Sequence, residues 1–93
     1  MKTIQRIYSG TVQGVGFRAT VQHLARGCAV VGTVRNLADG RVELRAAGEP
    51  DEIARFLDAI EQSRLGPLIT RRHDGDPDNP GAITGLKGFE IRP

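Results

Sequence analysis

Residues 10–18 read GTVQGVGFR, and this stretch decides the fold because it joins a strand to a helix. The residues before it, from Ile4 onward, alternate in the manner of a strand. Within it, Gly14 and Gly16 can take backbone conformations that other residues avoid, so that successive N–H groups converge on one point. Arg18 adds a full positive charge to the partial charge of the helix N-terminus. Together these features predict a pocket for a phosphate-sized anion.

Length and composition place the chain among ordinary globular proteins, and we expect residues 1–93 to form a single domain. The chain is 39% hydrophobic and 26% charged, which is usual for such a domain. Its 13 basic residues are scattered among 11 acidic ones, and the formal net charge is +2. Nucleic-acid binding usually needs a clustered stripe of Lys and Arg. We therefore expect no nucleic-acid partner.

One cysteine and the lack of a long apolar run bear on where the protein works. Cys28 can form no disulfide within the chain and cannot hold zinc alone, and a free thiol suits a reducing compartment. We expect it to be buried and inert on the apolar face of the first helix. No stretch is long enough for a signal peptide or a membrane span. The expectation is a cytoplasmic protein without a membrane partner, and nothing demands more than a monomer.

Apolar spacing and turn residues predict the remaining elements. A first helix is expected from about Phe17 to Cys28, because its apolar residues recur on one helical face. A second helix begins near Pro50, whose backbone angle suits a first turn, and ends before residues 65–67; Glu61 lies on its water-facing side. An exposed loop is expected over 74–85. Strands are expected over residues 4–11, 30–34, 41–46, 68–70 and 88–92.

This order of elements predicts an α+β, ferredoxin-like βαββαβ sandwich. We expect an antiparallel sheet with two helices on one face and a short extra C-terminal strand. In that topology the first helix runs away from the glycine loop, and the chain returns along the second strand. The end of that strand then lies back at the loop. Because Asn36 ends the second strand, the topology predicts that it lies close to Arg18.

Residues 10–18 and 32–40, which read GTVQGVGFR and GTVRNLADG, resemble the two signature motifs of the acylphosphatases in order and in spacing. The closing residues 89–92 resemble the last strand of that family, so the resemblance spans nearly the whole chain. It implies a small enzyme that hydrolyses the carboxyl–phosphate bond of acyl phosphates and releases inorganic phosphate, with no metal or organic cofactor. It implies that Arg18 and loop N–H groups hold the phosphate and that Asn36 orients the attacking water. The implied phosphate-binding residues are Gln13, Gly14, Val15, Gly16, Phe17 and Arg18.

The chain departs from the pattern of that family at three positions. Thr20 and Thr33 stand where the family often has aromatic residues, and Ala29 stands where it usually has glycine. These changes affect packing and the walls of the pocket rather than Arg18 or Asn36. They bear on stability and substrate preference more than on the type of reaction.

The chemistry of the residues agrees with the implied roles. An acyl phosphate has a good carboxylate leaving group, so a site must chiefly neutralise phosphoryl charge and place a water in line. The guanidinium of Arg18 offers a planar fork of donors that fits phosphate oxygens. The amide of Asn36 can accept a hydrogen bond from water without titrating. Neither motif holds a His or a catalytic carboxylate, which leads to the hypothesis that the bound phosphate takes the proton of the water.

Other interpretations account for less of the chain. The glycine loop satisfies a dinucleotide-binding fingerprint, but Asp39 falls in a hairpin turn and antiparallel pairs oppose a parallel sheet. A similar signature opens the larger hydrogenase-maturation carbamoyltransferases, and the end of the chain at Pro93 favours a free-standing hydrolase instead. A non-catalytic anion-binding or regulatory module is a further alternative. His23 and His73 are expected to be solvated. The acidic residues of the 74–85 loop, expected to hold no metal, are Asp74, Asp76 and Asp78.

Overall fold

The strands and the two main helices follow the predicted order, and one short helix that was not predicted lies between the last two strands. The computed structural model describes residues 1–77 and 79–93, so the predicted role of Asp78 lies outside the described residues. A single 3₁₀ turn covers Gly66–Leu68. The other elements are β1 (Lys2–Gly10), α1 (Phe17–Ala25), β2 (Val30–Asn36), β3 (Val42–Gly48), α2 (Pro50–Gln62), β4 (Ile69–Gly75), α3 (Pro80–Thr84) and β5 (Phe89–Arg92).

The strands form one mixed sheet in the order β4-β1-β3-β2-β5. β1 pairs antiparallel with β3 and β4, and β2 pairs antiparallel with β3, which confirms the ferredoxin-like prediction. β5 pairs parallel with β2, with Val34 opposite Ile91, so the expectation of a wholly antiparallel sheet is wrong at this edge. The chain crosses from β4 at one edge to the opposite edge of the sheet, and this crossover allows β5 to run in the direction of β2.

The core lies between the sheet and the helices α1 and α2, which pack on the same face as predicted. Alternate strand residues point into it, because successive side chains of a strand leave opposite faces of the sheet. β3 is the central strand, and most of its residues are buried on both faces. The largest fully buried core side chains are Tyr8, Phe17, Phe56, Leu44, Ile53, Ile60 and Leu65.

α1 ends at Ala25, three residues before the predicted end at Cys28. The N–H groups of Arg26, Gly27 and Cys28 donate to carbonyls three residues earlier, at 3.1–3.2 Å. Such bonds tighten a last turn instead of continuing an α-helix. Cys28 therefore follows the helix, and its side chain is half-buried against the core rather than fully buried on the helix face.

Glu61 does not lie on a water-facing side of α2, in contrast to the prediction. Its carboxylate is half-buried and pairs with the guanidinium of Arg72. Arg72 lies opposite Tyr8 in the sheet register, so its side chain leaves the sheet on the face that carries α2. The last turn of α2 thus lies over the β1–β4 edge, a contact that helical spacing alone does not reveal.

The prediction of an exposed loop over 74–85 is wrong for Asp74, for Gly75 and for the residues from Pro80 to Thr84, which belong to a strand and a helix. β4 continues to Gly75, and the Arg6 guanidinium holds Asp74 with Nε–Oδ1 at 2.6 Å. Pro80 then starts α3, whose Ile83 is only 2% exposed. α3 packs on β2 and β3 beside Thr33 and Arg35, on the sheet face away from α1 and α2. A single buried isoleucine in a Gly- and Pro-rich stretch gives too little periodicity to predict this helix.

Candidate active site

A cleft of about 190 Å³ opens where the glycine loop meets the end of β2. It brings Arg18, in the first turn of α1, together with Asn36, the last residue of β2. β1 and β2 both pair antiparallel with β3 and therefore run in the same direction. The glycine loop after β1 and Asn36 at the end of β2 thus lie at the same end of the sheet. The residues that line the cleft are Val12, Gly14, Gly16, Phe17, Arg18, Ala19, Asn36 and Ile91.

The backbone of the loop takes the conformation that its glycines permit. Gly14 and Gly16 have φ angles of 77° and 76°, in the left-handed region that residues with a Cβ rarely adopt. A Cβ at Gly14 would meet nothing within 4 Å, so that glycine is required by its dihedral angle and not by crowding. Within the described part of the chain, the N–H groups of residues 14–19 donate to no protein acceptor. They are free to bind an anion at the start of α1.

The side chain of Gln13, one of the predicted phosphate-binding residues, forms hydrogen bonds within the protein. Its Nε2 donates to the carbonyls of Leu37 and Arg41, at 2.7 and 2.9 Å. Both carbonyls belong to the turn that joins β2 to β3, directly after Asn36. The Gln13 side chain therefore ties the glycine loop to the strand end that carries Asn36, and only its main chain remains for an anion.

Val15 and Phe17 likewise use their side chains for packing. The Phe17 ring is 2% exposed and lies against Tyr8, with ring centroids 5.3 Å apart. The Val15 side chain packs against the core, while its carbonyl accepts a hydrogen bond from Arg64 at 3.0 Å. These contacts fix the loop between its two glycines and directly after them. Any contribution of the two residues to anion binding comes from their main-chain N–H groups.

Arg18 gives the lining of the cleft a positive charge. Arg18 is half-exposed and forms no ion pair among residues 1–77 and 79–93. None of the lining side chains is a carboxylate or an imidazole. Beneath the loop, burial raises the pKa of Tyr8 to about 12, so its phenol stays neutral. His23 and His73 are both exposed and lie outside the cleft.

Neither a cluster of metal ligands nor a membrane-spanning helix occurs in the part of the chain that the structure describes. No three His, Cys, Asp or Glu side chains come together there as ligands for a metal ion. No helix within that part has the length and hydropathy needed to cross a bilayer.

Sequence reasoning did not identify three apolar residues of the cleft lining, which are Val12, Ala19 and, above all, Ile91. This side chain is 39% exposed, which is unusual for an isoleucine in this molecule. Its position follows from the parallel pairing of β5 with β2, in which Ile91 lies opposite Val34. The alternation of Phe89 and Ile91 indicates that both lie on one face, but not that this face ends at the cleft.

The chain was compared with known proteins at the level of sequence. A family model described as Acylphosphatase matches residues 4–91. An acylphosphatase of Methanospirillum hungatei is 45% identical over 71 residues, which are 76% of this chain and 78% of that protein. An acylphosphatase of Salinibacter ruber is 36% identical over 91 residues, which are 98% of this chain and 93% of that protein.

Solved structures agree with the sequence comparison. The crystal structure of acylphosphatase from Bacillus subtilis matches with a TM-score of 0.84 and 31% identity, and all of each chain is covered. The structure of HypF from T. kodakarensis matches with a TM-score of 0.81 and 27% identity, over all of this chain and 12% of that one. With a family model that covers residues 4–91 and relatives of the same name along nearly its full length, this chain belongs to the acylphosphatase family.

Proposed function

We propose that this acylphosphatase hydrolyses small acyl phosphates to a carboxylate and inorganic phosphate without a metal ion, with Arg18 binding the phosphoryl group and Asn36 orienting water. One observation carries the proposal. Arg18, Asn36 and the free N–H groups that begin α1 meet at one cleft, and none of the side chains that line it is acidic.

The phosphoryl group is placed at the start of α1. There the guanidinium of Arg18 and the N–H groups of residues 14–19 supply donors from a side chain and from the main chain. Charge-assisted hydrogen bonds of this kind are roughly twice as strong as neutral ones. Because the loop is held by Gln13 and Phe17, its donors need little rearrangement when negative charge develops on the phosphoryl oxygens.

The attacking water is placed at Asn36. The carboxamide oxygen of Asn36 accepts a hydrogen bond from the water. A lone pair of the water oxygen is then directed at phosphorus. No lining side chain can take the proton of that water, so we assign the proton to a phosphoryl oxygen of the substrate. The bond between phosphorus and the carboxylate oxygen then breaks, and the carboxylate leaves without an acid catalyst.

The acyl group is placed against Ile91, beside the methyl group of Ala19. Covering an exposed isoleucine with an apolar group is favourable, by about 25 cal/mol per Å² of apolar surface removed from water. The wall therefore suits acyl phosphates whose acyl group is apolar, such as an aromatic or aliphatic chain.

The test is hydrolysis of benzoyl phosphate by the purified protein with and without an excess of a metal chelator. We expect the same turnover in both, with competitive inhibition by inorganic phosphate. We also expect the pH profile of kcat to reveal no titrating protein group between about pH 5 and 8, the range in which histidine changes charge. Turnover that the chelator abolishes, or that phosphate does not inhibit, would contradict the proposal.

The likeness to HypF favours a second candidate, because there a similar fold makes up 12% of a much longer chain. A second solved HypF structure is described as phosphate- and nucleotide-bound, at 27% identity and a TM-score of 0.72. In this alternative the cleft binds a phosphate group, such as that of carbamoyl phosphate, for use by another domain or as a regulatory signal. Tight binding of phosphate without hydrolysis of benzoyl phosphate would support it.

We further propose that the protein acts as a monomer in the cytoplasm. The free thiol of Cys28, which is half-buried, suits a reducing compartment. Gel filtration at micromolar concentration tests the first part, and a dimer would contradict it.

A further inference from the structure

Arg64 reaches the glycine loop from the segment that follows α2. Its Nη2 donates to the carbonyl of Val15 at 3.0 Å and to Oγ1 of Thr20 at 2.9 Å. A Cβ built on Gly16 would lie 3.0 Å from the same nitrogen. The guanidinium thus lies directly on the loop and on the first turn of α1, although Arg64 is not among the residues that line the cleft.

The contact with Val15 determines how the next peptide group is turned. Every peptide bond of the described chain is trans, and in a trans peptide the carbonyl and the following N–H point in opposite directions. When Arg64 holds the Val15 carbonyl, the N–H of Gly16 must point away from Arg64. Gly16 lines the cleft, and its N–H is one of the free donors at the start of α1.

The contact with Thr20 makes the arrangement rigid. The Thr20 N–H donates to the carbonyl of Gly16 at 3.0 Å, so Arg64 binds both the loop and the residue that closes the first helical turn. Thr20 is one of the three positions at which this chain departs from the pattern of the family. Its hydroxyl supplies an acceptor that an aromatic ring at this position would not place in the same way.

We propose that Arg64 is a positioning residue, which holds the Val15–Gly16 peptide so that the Gly16 N–H faces the bound phosphoryl group. The inference rests on the proposed function of the loop. Without Arg64 the loop samples other orientations, because Gly14 and Gly16 resist rotation less than residues with a Cβ. Binding must then select the competent fraction, which weakens the apparent affinity in proportion.

The test measures KM and kcat for benzoyl phosphate and the inhibition constant of inorganic phosphate. In Arg64→Ala we expect about a tenfold rise in KM and in the inhibition constant, since a hydrogen bond from a charged group is lost. We expect kcat to stay within about threefold, because the Asn36 side of the cleft is untouched. Thr20→Val, which keeps the shape and the charge, should raise both constants about threefold.

Two controls separate positioning from charge. Arg26→Ala removes the same charge from the far end of α1 and should leave all three constants unchanged. Arg64→Lys keeps the charge, but its shorter side chain does not carry a donor to the position of Nη2, so it should remain several-fold weaker than the unmodified protein. Full recovery in Arg64→Lys, or equal effects of Arg64→Ala and Arg26→Ala, would overturn the inference.

The outcomes also separate this inference from the proposed function. If the unmodified protein does not hydrolyse benzoyl phosphate, the proposed function fails. If it does, and Arg64→Ala and Thr20→Val bind phosphate normally, only the role of Arg64 fails. If Arg64→Ala does not fold by circular dichroism, Thr20→Val decides, and an unchanged inhibition constant in that variant overturns the inference.

Discussion

The two faces of the sheet around β2 give their arginine side chains opposite surroundings. On the helix-bearing face the strand ends at the cleft, where Arg18 lies beside Asn36 with no carboxylate in the lining. On the other face a groove of about 360 Å³ holds Arg35 and Arg45 around Glu43. That carboxylate, 6% exposed, accepts from Nε of Arg35 at 2.8 Å, and Nε of Arg45 lies 3.3 Å from it.

The surroundings of each arginine therefore depend more on where its counterion lies than on how many charged groups are present. In the groove the protein supplies its own counterion, and Gln5 adds a further hydrogen bond to Glu43 at 2.9 Å. At the cleft the counterion is left to a ligand, and a cation at a helix N-terminus is electrostatically unfavourable without one. Neighbouring residues of β2 thus lie in different surroundings: Arg35 pairs with Glu43 on one face, and Asn36 lines the cleft on the other.

The largest effect should come from replacing Arg18 with alanine, and Arg35→Ala on the other face of the sheet is the matched control. Arg18→Ala should lower kcat/KM on the order of 10³-fold, since charge stabilisation of the transition state is lost, and should abolish detectable binding of phosphate. Arg35→Ala should keep kcat/KM within about twofold. Steady-state kinetics on benzoyl phosphate and phosphate titration check both. Similar losses in the two variants would erase the contrast between the faces.

The next largest effect should come from Asn36. Asn36→Ala should lower kcat about 10²-fold, a magnitude typical of removing one group that acts at the reacting centre. The inhibition constant of inorganic phosphate should stay within about twofold, because Arg18 and the loop N–H groups remain. If Asn36→Ala instead weakens phosphate binding and keeps its maximal rate, the assigned role in orienting water is wrong.

A smaller effect is expected at the apolar wall. Ile91→Ala should raise KM for benzoyl phosphate about fivefold, because truncation removes apolar surface that the acyl group covers. KM for acetyl phosphate, with its single methyl group, should rise less than twofold. Equal changes for both substrates would place the acyl group elsewhere.

The smallest effect on catalysis should come from the groove, where the expected change is in stability. Burial opposes the charged form of Glu43, but the hydrogen bond from Arg35, the charge of Arg45 and the hydrogen bond from Gln5 outweigh it and lower the pKa. A carboxyl whose folded pKa lies below its unfolded value of about 4.3 stabilises the protein above that value. This stabilisation is lost as the pH falls through the folded pKa.

Glu43→Gln should therefore cost about 1–2 kcal/mol of unfolding free energy at neutral pH, an order typical of a lost charged hydrogen bond. At pH values below the folded pKa the variant and the unmodified protein should converge. Denaturant unfolding at several pH values measures this, with kcat/KM on benzoyl phosphate as the control. A gap between the two proteins that persists in acid would contradict the role of the ionised carboxylate.

Local sequence patterns predicted correctly those features that depend on the residues of a single strand or helix. The alternation of β1, the amphipathic stripe of α2 and the start of α1 at Phe17 were all predicted. The same patterns failed where a contact from another element intervenes. Glu61 has the spacing of a water-facing residue but pairs with Arg72. The residues after Asp74 have the composition of a loop but form the end of β4 and then α3.

Two features of the site follow from local sequence, namely the left-handed backbone angles that Gly14 and Gly16 allow and the positive charge of Arg18 in the first turn of α1. The groups that surround the loop could not be predicted in this way, because they come from distant parts of the chain. The Gln13 side chain donates to the β2–β3 turn, Arg64 donates to the carbonyl of Val15, and Ile91 of the last strand lines the cleft. Each of these contacts joins residues far apart in the chain, so it exists only after the sheet has set the register and direction of its strands.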